Sequence, residues 1–335
     1  MKDTMKQKIL IITDNMPDQV NGVVTTFKNL EKQAHQNGYT VEYIDPTRFR
    51  HMCCPGYHEV KLSWPWGIGR MIKNSAADHI HIATEGPIGL AASNYCWRKG
   101  LRYNTSYHTK FPEFLHELYN IPTAWTYWYM RWFHKHSGIV LTTTQTMVDE
   151  LRDNGFRWEV IPWTRGVDRA NLMPTQEHVA NPIPVVMYAG RVSREKNLDV
   201  LCELGNQYRV VIVGDGPDRE RLQRQYPAVE FAGYKKGSDL ANYYAQADVF
   251  AFPSRSDTFG IVMIEAISVG TPVAAYPVPG PVDIVETGVN GYMNEDLATA
   301  IESALTLDRA VVALSGKKWT WAACWDIFQK NLVQA

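Results

Sequence analysis

Short apolar runs alternating with segments of helical period constrain this chain more than any other feature. Residues 9–13, 40–44, 79–83, 102–107, 139–143 and 158–161 are brief and apolar, as strands are. Between them, 23–35 carries Phe27, Leu30 and Ala34 at helical spacing and stops at Asn37-Gly38, while 87–99 and 146–154 follow the same pattern. The alternation breaks at MPTQEHVANPIP, a run with three prolines, then resumes with strands at 185–189, 209–213, 229–232, 248–252 and 273–275. Strands joined by helices run parallel, so the expected fold class is α/β with sheets covered on both faces. A chain of 335 residues has room for two such domains. The expected boundaries are 1–172, a linker at 173–184, 185–315, and a C-terminal helical segment at 316–335.

Composition removes several classes. Lys plus Arg is 34 against 35 for Asp plus Glu, a net charge of -1, so nothing favours a nucleic-acid partner. Five cysteines, two of them adjacent at Cys53 and Cys54 and none in a C-x-x-C, read as reduced cytosolic thiols. The first apolar run, 9–12, is too short for a signal-peptide core, and no window is long and apolar enough to span a bilayer. The expected localisation is therefore cytoplasmic. The loop 14–22 holds no G-x-G-x-x-G, and no G-x-x-x-x-G-K-[ST] occurs, which weighs against dinucleotide and P-loop chemistry. His51, Cys53, Cys54 and His58 are zinc-type ligands, but adjacent cysteines and the Pro55-Gly56 turn fit zinc spacing poorly, so no metal is expected.

One stretch concentrates chemistry. FAFPSRSDTFGIVMIEAISVGT, 250–271, reads as a strand end, a polar turn and a helix starting near Thr258 or Phe259. Within its apolar helix stands one carboxylate, Glu265, costly there unless something satisfies it. The amides of Thr258, Phe259 and Gly260, with the helix dipole, suit an anion such as a phosphate. Glu265 then falls about 9 Å along the helix, near the reach from a diphosphate to its ribose. Asp257 faces the group on the other phosphate. The bland alternative is an N-cap aspartate and a glutamate salt-bridged in a core. Arg191 and Lys196, just past the strand 185–189, supply two cations suited to a diphosphate.

GRVSREKN at 190–197, VGDGP at 213–217, D-x7-E from Asp257 to Glu265 and GTPV at 270–273 together resemble the retaining glycosyltransferases of family 4. TEGPIG at 84–89, TSYHTKFPEF at 105–114 and WTRGVD at 163–168 are similar to a bacterial branch near sulfolipid and glycolipid synthases and related mannosyl- and glucosyltransferases. The resemblance implies a GT-B fold, two Rossmann-like doubly wound domains facing across a cleft, with the last helix crossing back to the first. It implies transfer of a hexose from a UDP- or GDP-sugar with retention of the α configuration and without metal, the absence of D-x-D agreeing. The nucleotide sugar is a substrate, and no cofactor is expected. The implied acceptor is a membrane glycolipid or a cell-envelope glycan. In this pattern His108 reaches the donor sugar. The first loop, usually with two adjacent glycines, keeps one, Gly22, which a turn alone would also explain. Glu85 is a candidate on the acceptor side, or a helix-start carboxylate. Where the family usually has glutamate this chain has Asp257, shorter by one methylene. Other readings of the same fold are an epimerase, a hydrolase, or an inactive nucleotide-sugar-binding protein.

WTYWYMRWFHKH at 125–136 sets aromatic rings beside Arg131 and Lys135, a mixture suited to the headgroup layer and to peripheral association with the cytoplasmic membrane face. Its aromatics occupy more than one helical face, so part of it is expected to be core.

Overall fold

The computed structural model describes residues 7–19, 21–54, 57–176, 178–179 and 181–335, without the side chains at 54, 57–60, 114, 117 and 118. The chain forms two compact units: everything up to Thr164 together with Trp321–Ala335, and Arg165–Thr320 between.

The first unit carries β1 (Lys8–Ile12), β2 (Thr40–Ile44), β3 (His51–Cys54), β4 (Tyr57–Ser63), β5 (His79–Ile82), β6 (Asn104–Tyr107), β7 (Val140–Thr142) and β8 (Val160–Pro162). Its helices are α1 (Gly22–Gln36), α2 (Ile68–Ser75), α3 (Pro87–Lys99), α4 (Phe111–Tyr119), α5 (Thr123–His134) and α6 (Gln145–Asp153). Six strands form one parallel sheet in the order β2-β1-β5-β6-β7-β8, and β3-β4 is a separate antiparallel pair. Burial on both faces explains the continuous apolar runs. Ile9 and Ile11 face the α1 side with Phe27 and Leu30, whereas Leu10 and Ile12 face the α3 side with Ile82 and Ile88. Asn21 starts α1 by accepting the Val24 amide at 2.9 Å.

The second unit has β9 (Val185–Ala189), β10 (Arg209–Val213), β11 (Glu230–Gly233), β12 (Val249–Phe252), β13 (Val273–Ala275) and β14 (Gly291–Met293). Its helices are α7 (Leu198–Cys202), α8 (Arg219–Gln225), α9 (Gly237–Gln246), α10 (Ile261–Ser268), α11 (Pro281–Ile284), α12 (Leu297–Ala304) and α13 (Arg309–Ser315). The parallel order β11-β10-β9-β12-β13-β14 is the doubly wound arrangement, whose direction of winding reverses between β9 and β12. In the first unit the reversal lies between β1 and β5. Loops at the carboxyl ends of those strands are where such sheets take ligands.

The last helix, α14 (Trp321–Lys330), belongs to the first unit, where Trp321, Trp325 and Phe328 join the cluster of Ile9, Leu30 and Trp163. The Trp163 indole donates to the Cys324 carbonyl at 2.9 Å. The sequence reading ended the second sheet at 273–275 and missed both β14 and the β3-β4 hairpin. It also started the helix after Asp257 too early. α10 begins at Ile261, because Gly260 takes a left-handed φ of +86°. A Cβ at Gly260 would stand 2.7 Å from Met263 Cε and 2.9 Å from Phe252 Cζ.

Candidate functional site

In the second unit the loops after β9 and β12 bring together Lys196 and Asp257, which lie 61 positions apart in the chain. The Lys196 ammonium donates to both Asp257 oxygens at 2.7 and 2.9 Å, with both side chains partly exposed. Asn197 ties the same loops together by donating to the Pro253 carbonyl at 3.3 Å. Arg191 is half-buried, and its carbonyl accepts the Tyr188 hydroxyl at 3.1 Å. The turn after β10 packs on that loop: a Cβ at Gly214 would fall 1.8 Å from the Gly190 carbonyl oxygen, and one at Gly216 2.2 Å from that of Val192. Gly214 and Gly216 therefore have a structural job in packing these two loops together.

Thr258 and Phe259 are buried in the stretch before α10, and the Phe259 ring packs edge-on against Trp319 at 5.7 Å. Sequence reasoning passed over Gly280. Its φ is +94°, and a Cβ there would meet the Asp257 and Phe259 carbonyl oxygens at 3.1 and 3.2 Å, so the 277–281 loop lies against the Asp257–Phe259 backbone. Glu265, on the second turn of α10, is half-buried and meets no cation among the contacts described. The Tyr244 hydroxyl donates to its Oε2 at 2.9 Å. Burial pushes the Glu265 carboxyl up to about 7, against the opposing pull of that hydrogen bond.

The first unit has its own cluster at the reversal between β1 and β5. Asp14, just past β1, accepts the Ile88 and Gly89 amides at the start of α3, at 2.8 and 3.2 Å. It also accepts the Thr84 hydroxyl at 2.8 Å, and that same oxygen receives the Asp14 amide at 2.7 Å. Burial raises the Asp14 carboxyl to about 6, although these hydrogen bonds oppose it. The TEGPIG glycines are needed for this packing: a Cβ on Gly86 would lie 2.5 Å from Asp14 Cγ, and one on Gly89 1.9 Å from the Thr84 carbonyl oxygen. Glu85, between these groups, turns its carboxylate inward to His134, with Oε1 3.4 Å from Nε2. Asp14 and His134 were both missed by sequence reasoning.

His108 follows β6 and is half-buried, its ring 5.7 Å from Phe27 and 5.8 Å from Trp163. Gly22 is the first residue of α1, outside the left-handed region, so the expected turn does not require it. The 125–136 stretch splits as its pattern predicts. Tyr127, Met130, Phe133 and His134 are buried, whereas Trp125 and Trp128 are 71% and 62% exposed. Arg131 donates to the Asn154 carbonyl at the end of α6, at 2.8 Å, and so has a structural job. The side chains of Cys54 and His58 lie outside the described residues. Among the described ones no group of three or more His, Cys, Asp or Glu side chains could hold a metal ion, and no helix is long and apolar enough to cross a membrane.

Two family models match the chain: one described as Glycosyltransferase Family 4 over residues 20–171, and one described as Glycosyl transferases group 1 over residues 183–307. The chain is 27% identical to the GDP-mannose-dependent alpha-mannosyltransferase of Corynebacterium glutamicum, over 96% of this chain and 88% of that one. It is 29% identical to the sulfoquinovosyl transferase SQD2 of Arabidopsis thaliana, over 82% and 60%. It is 25% identical to the alpha-monoglucosyldiacylglycerol synthase of Streptococcus pneumoniae, over 89% and 78%. Sucrose-phosphate synthase from Thermosynechococcus elongatus shares the fold with a TM-score of 0.77 at 19% identity, covering 97% of this chain and 98% of that one. HepE of Anabaena, solved with UDP, does so with a TM-score of 0.70 at 15% identity, covering 97% and 99%. With both Rossmann-like halves matched by glycosyltransferase models, the chain belongs to glycosyltransferase family 4 of the GT-B fold and is a glycosyltransferase that works on nucleotide sugars.

Proposed function

We propose that this enzyme moves a hexose from a UDP- or GDP-sugar held by the second unit to a glycolipid or cell-envelope glycan acceptor held by the first, retaining the α configuration and using no metal. The observation that carries this reading is the Lys196–Asp257 pair at the carboxyl ends of β9 and β12, where a doubly wound sheet reverses. Lys196 and Arg191, with the amides of Thr258 to Gly260, neutralise the diphosphate as it leaves. Asp257 orients donor-sugar hydroxyls, and Glu265 takes those of the ribose. His108 reaches the donor sugar from the first unit, Gly22 lets the backbone come close to it, and Glu85 meets the acceptor. This is electrostatic stabilisation of a departing anion by fixed cations and amides, for which no protein nucleophile is required. The relatives named above are described as a GDP-mannose-dependent alpha-mannosyltransferase, a sulfoquinovosyl transferase and an alpha-monoglucosyldiacylglycerol synthase, which supports a hexose donor and a glycolipid acceptor. Exposed Trp125 and Trp128 support contact with the membrane face where a lipid acceptor resides.

The test incubates purified protein with UDP- and GDP-sugars, with and without diacylglycerol lipids, following nucleotide release, product mass and anomeric configuration by NMR. Acceptor-dependent release with an α-linked product is expected. Acceptor-free loss of the sugar would mark a hydrolase, conversion of the sugar without release an epimerase, and binding without turnover an inactive cleft.

A further inference from the structure

The hydrogen-bond chain behind Glu85 runs one way. The Ser137 hydroxyl donates to the Ile139 carbonyl at 2.7 Å, and the Thr105 hydroxyl donates to Ser137 Oγ at 3.0 Å. Thr105 Oγ1 has thus spent its hydrogen and offers only lone pairs to His134 Nδ1, 2.7 Å away. The imidazole therefore carries a proton on Nδ1, which fixes its orientation. Its other nitrogen, Nε2, faces Glu85 Oε1 at 3.4 Å, longer than a well-formed hydrogen bond, and neither atom has another hydrogen-bond partner among the described residues. A proton between them keeps a lone pair from facing a carboxylate. Around the pair, Thr105 and His134 are fully buried, and the Phe133 and Phe156 rings lie 4.9 and 5.7 Å from the imidazole. The backbone of Glu85 is held from the same helix: the Tyr129 hydroxyl donates to its carbonyl at 2.6 Å. Helix α5 thus grips the β5–α3 loop at two points, leaving Glu85 partly accessible at the carboxyl end of β5.

We infer that His134 is a positioning residue, whose Nε2 holds the Glu85 carboxylate where it accepts a hydroxyl hydrogen from the sugar acceptor. This rests on the reading that Glu85 meets the acceptor. A carboxylate fixed in this way recognises a polyhydroxylated headgroup or glycan end through its O–H donors, and a freely rotating one would have to be ordered on binding at an entropic cost.

Two substitutions separate positioning from packing. His134→Gln and His134→Asn both remove the ring, but glutamine keeps a donor near Nε2 and asparagine keeps one near Nδ1. Full-length variants are assayed with GDP-mannose and UDP-glucose against dioleoylglycerol in mixed micelles and against methyl α-mannoside. The acceptor KM is expected to stay within about threefold for His134→Gln and to rise about ten- to a hundredfold for His134→Asn, with donor KM unchanged in both. Equal acceptor KM values in the two variants, or losses confined to kcat and thermal stability, would overturn the inference. Glu85→Gln is the control for the underlying reading. If it leaves the acceptor KM unchanged, Glu85 does not meet the acceptor; if it raises that KM while His134→Asn does not, only the role of His134 fails. A long-range ¹H–¹⁵N spectrum of the imidazole needs no acceptor: Glu85→Gln should move the Nε2 resonance and leave Nδ1 protonated, and an unchanged spectrum would count against the pairing.

Discussion

Lys196 donates to both carboxylate oxygens of Asp257, at 2.7 and 2.9 Å, closing an ion pair across the loops after β9 and β12. Each has a separate role in the proposed reaction, and in the structure each satisfies the other. In the proposed reaction a diphosphate beside Lys196 would offer a stronger anion and draw the ammonium away, freeing Asp257 for sugar hydroxyls.

This exchange gives the first prediction. Lys196→Ala and Asp257→Ala should each lower turnover on the order of ten- to a thousandfold, and Arg191→Ala likewise. A partly exposed pair contributes only about 1 kcal/mol or less to folding, so thermal unfolding should barely move. Steady-state kinetics alongside calorimetry checks this, and unchanged turnover in Lys196→Ala and Arg191→Ala would remove both from the diphosphate site.

Glu265 predicts a pH dependence. Its carboxyl titrates at about 7 in the folded protein against an ordinary 4.5, so between those values the native state binds the extra proton. Stability therefore falls as pH rises from 4.5 to 7, by on the order of 3 kcal/mol. Asp14, raised to about 6 from 3.8, acts in the same direction over a lower window. Glu265→Gln should flatten the upper part of the curve, measured by denaturant unfolding at pH 5, 6 and 8. If Glu265 takes ribose hydroxyls as a carboxylate, nucleotide affinity should rise through pH 7 in wild type, and calorimetric titration of Glu265→Gln should show no such rise.

The Asp14 cluster predicts a purely structural cost. Asp14→Ala leaves the Ile88 and Gly89 amides without their acceptor and should destabilise the first unit by about 1–2 kcal/mol. Gly89→Ala should cost more, since its Cβ would meet a backbone oxygen at 1.9 Å that cannot move aside as a side chain can. Urea unfolding followed by circular dichroism ranks the two, and the opposite order would contradict the packing described.

Trp125 and Trp128 separate a membrane role from a packing role. Both are exposed on α5, so the double alanine variant should keep its stability within about 0.5 kcal/mol. Cosedimentation with vesicles containing phosphatidylglycerol should fall severalfold, and unaltered sedimentation would move the membrane contact elsewhere on the surface.

The strands at 185–189, 209–213 and 273–275 were legible to the residue because they are β-branched or apolar at nearly every position, as strands covered on both faces must be. β14 was not, being three residues long and opening on Gly291. The β3-β4 hairpin, with His51, His58, Glu59 and Lys61 among its few residues, offers no continuous apolar run to betray it. At the site, the residue types and spacing of Arg191, Lys196, Asp257 and Glu265 were visible, but the later start of α10 was not. Thr258 looks like a helix start until the left-handed Gly260 is seen wedged against Phe252. Asp14 and His134 could not be singled out. An aspartate in a loop and a histidine within an aromatic run acquire meaning only when β1, β5 and α5 are brought side by side.

Because α14 fills the core beneath β1 and Trp163, the first unit depends on a segment that follows the whole of the second unit in the chain. The second, continuous from Arg165 to Thr320, can complete its sheet while the first still exposes apolar surface that Trp325 and Phe328 later cover. During synthesis the unit whose strands emerge earlier is thus the one completed later, once a segment beyond the whole second unit has emerged.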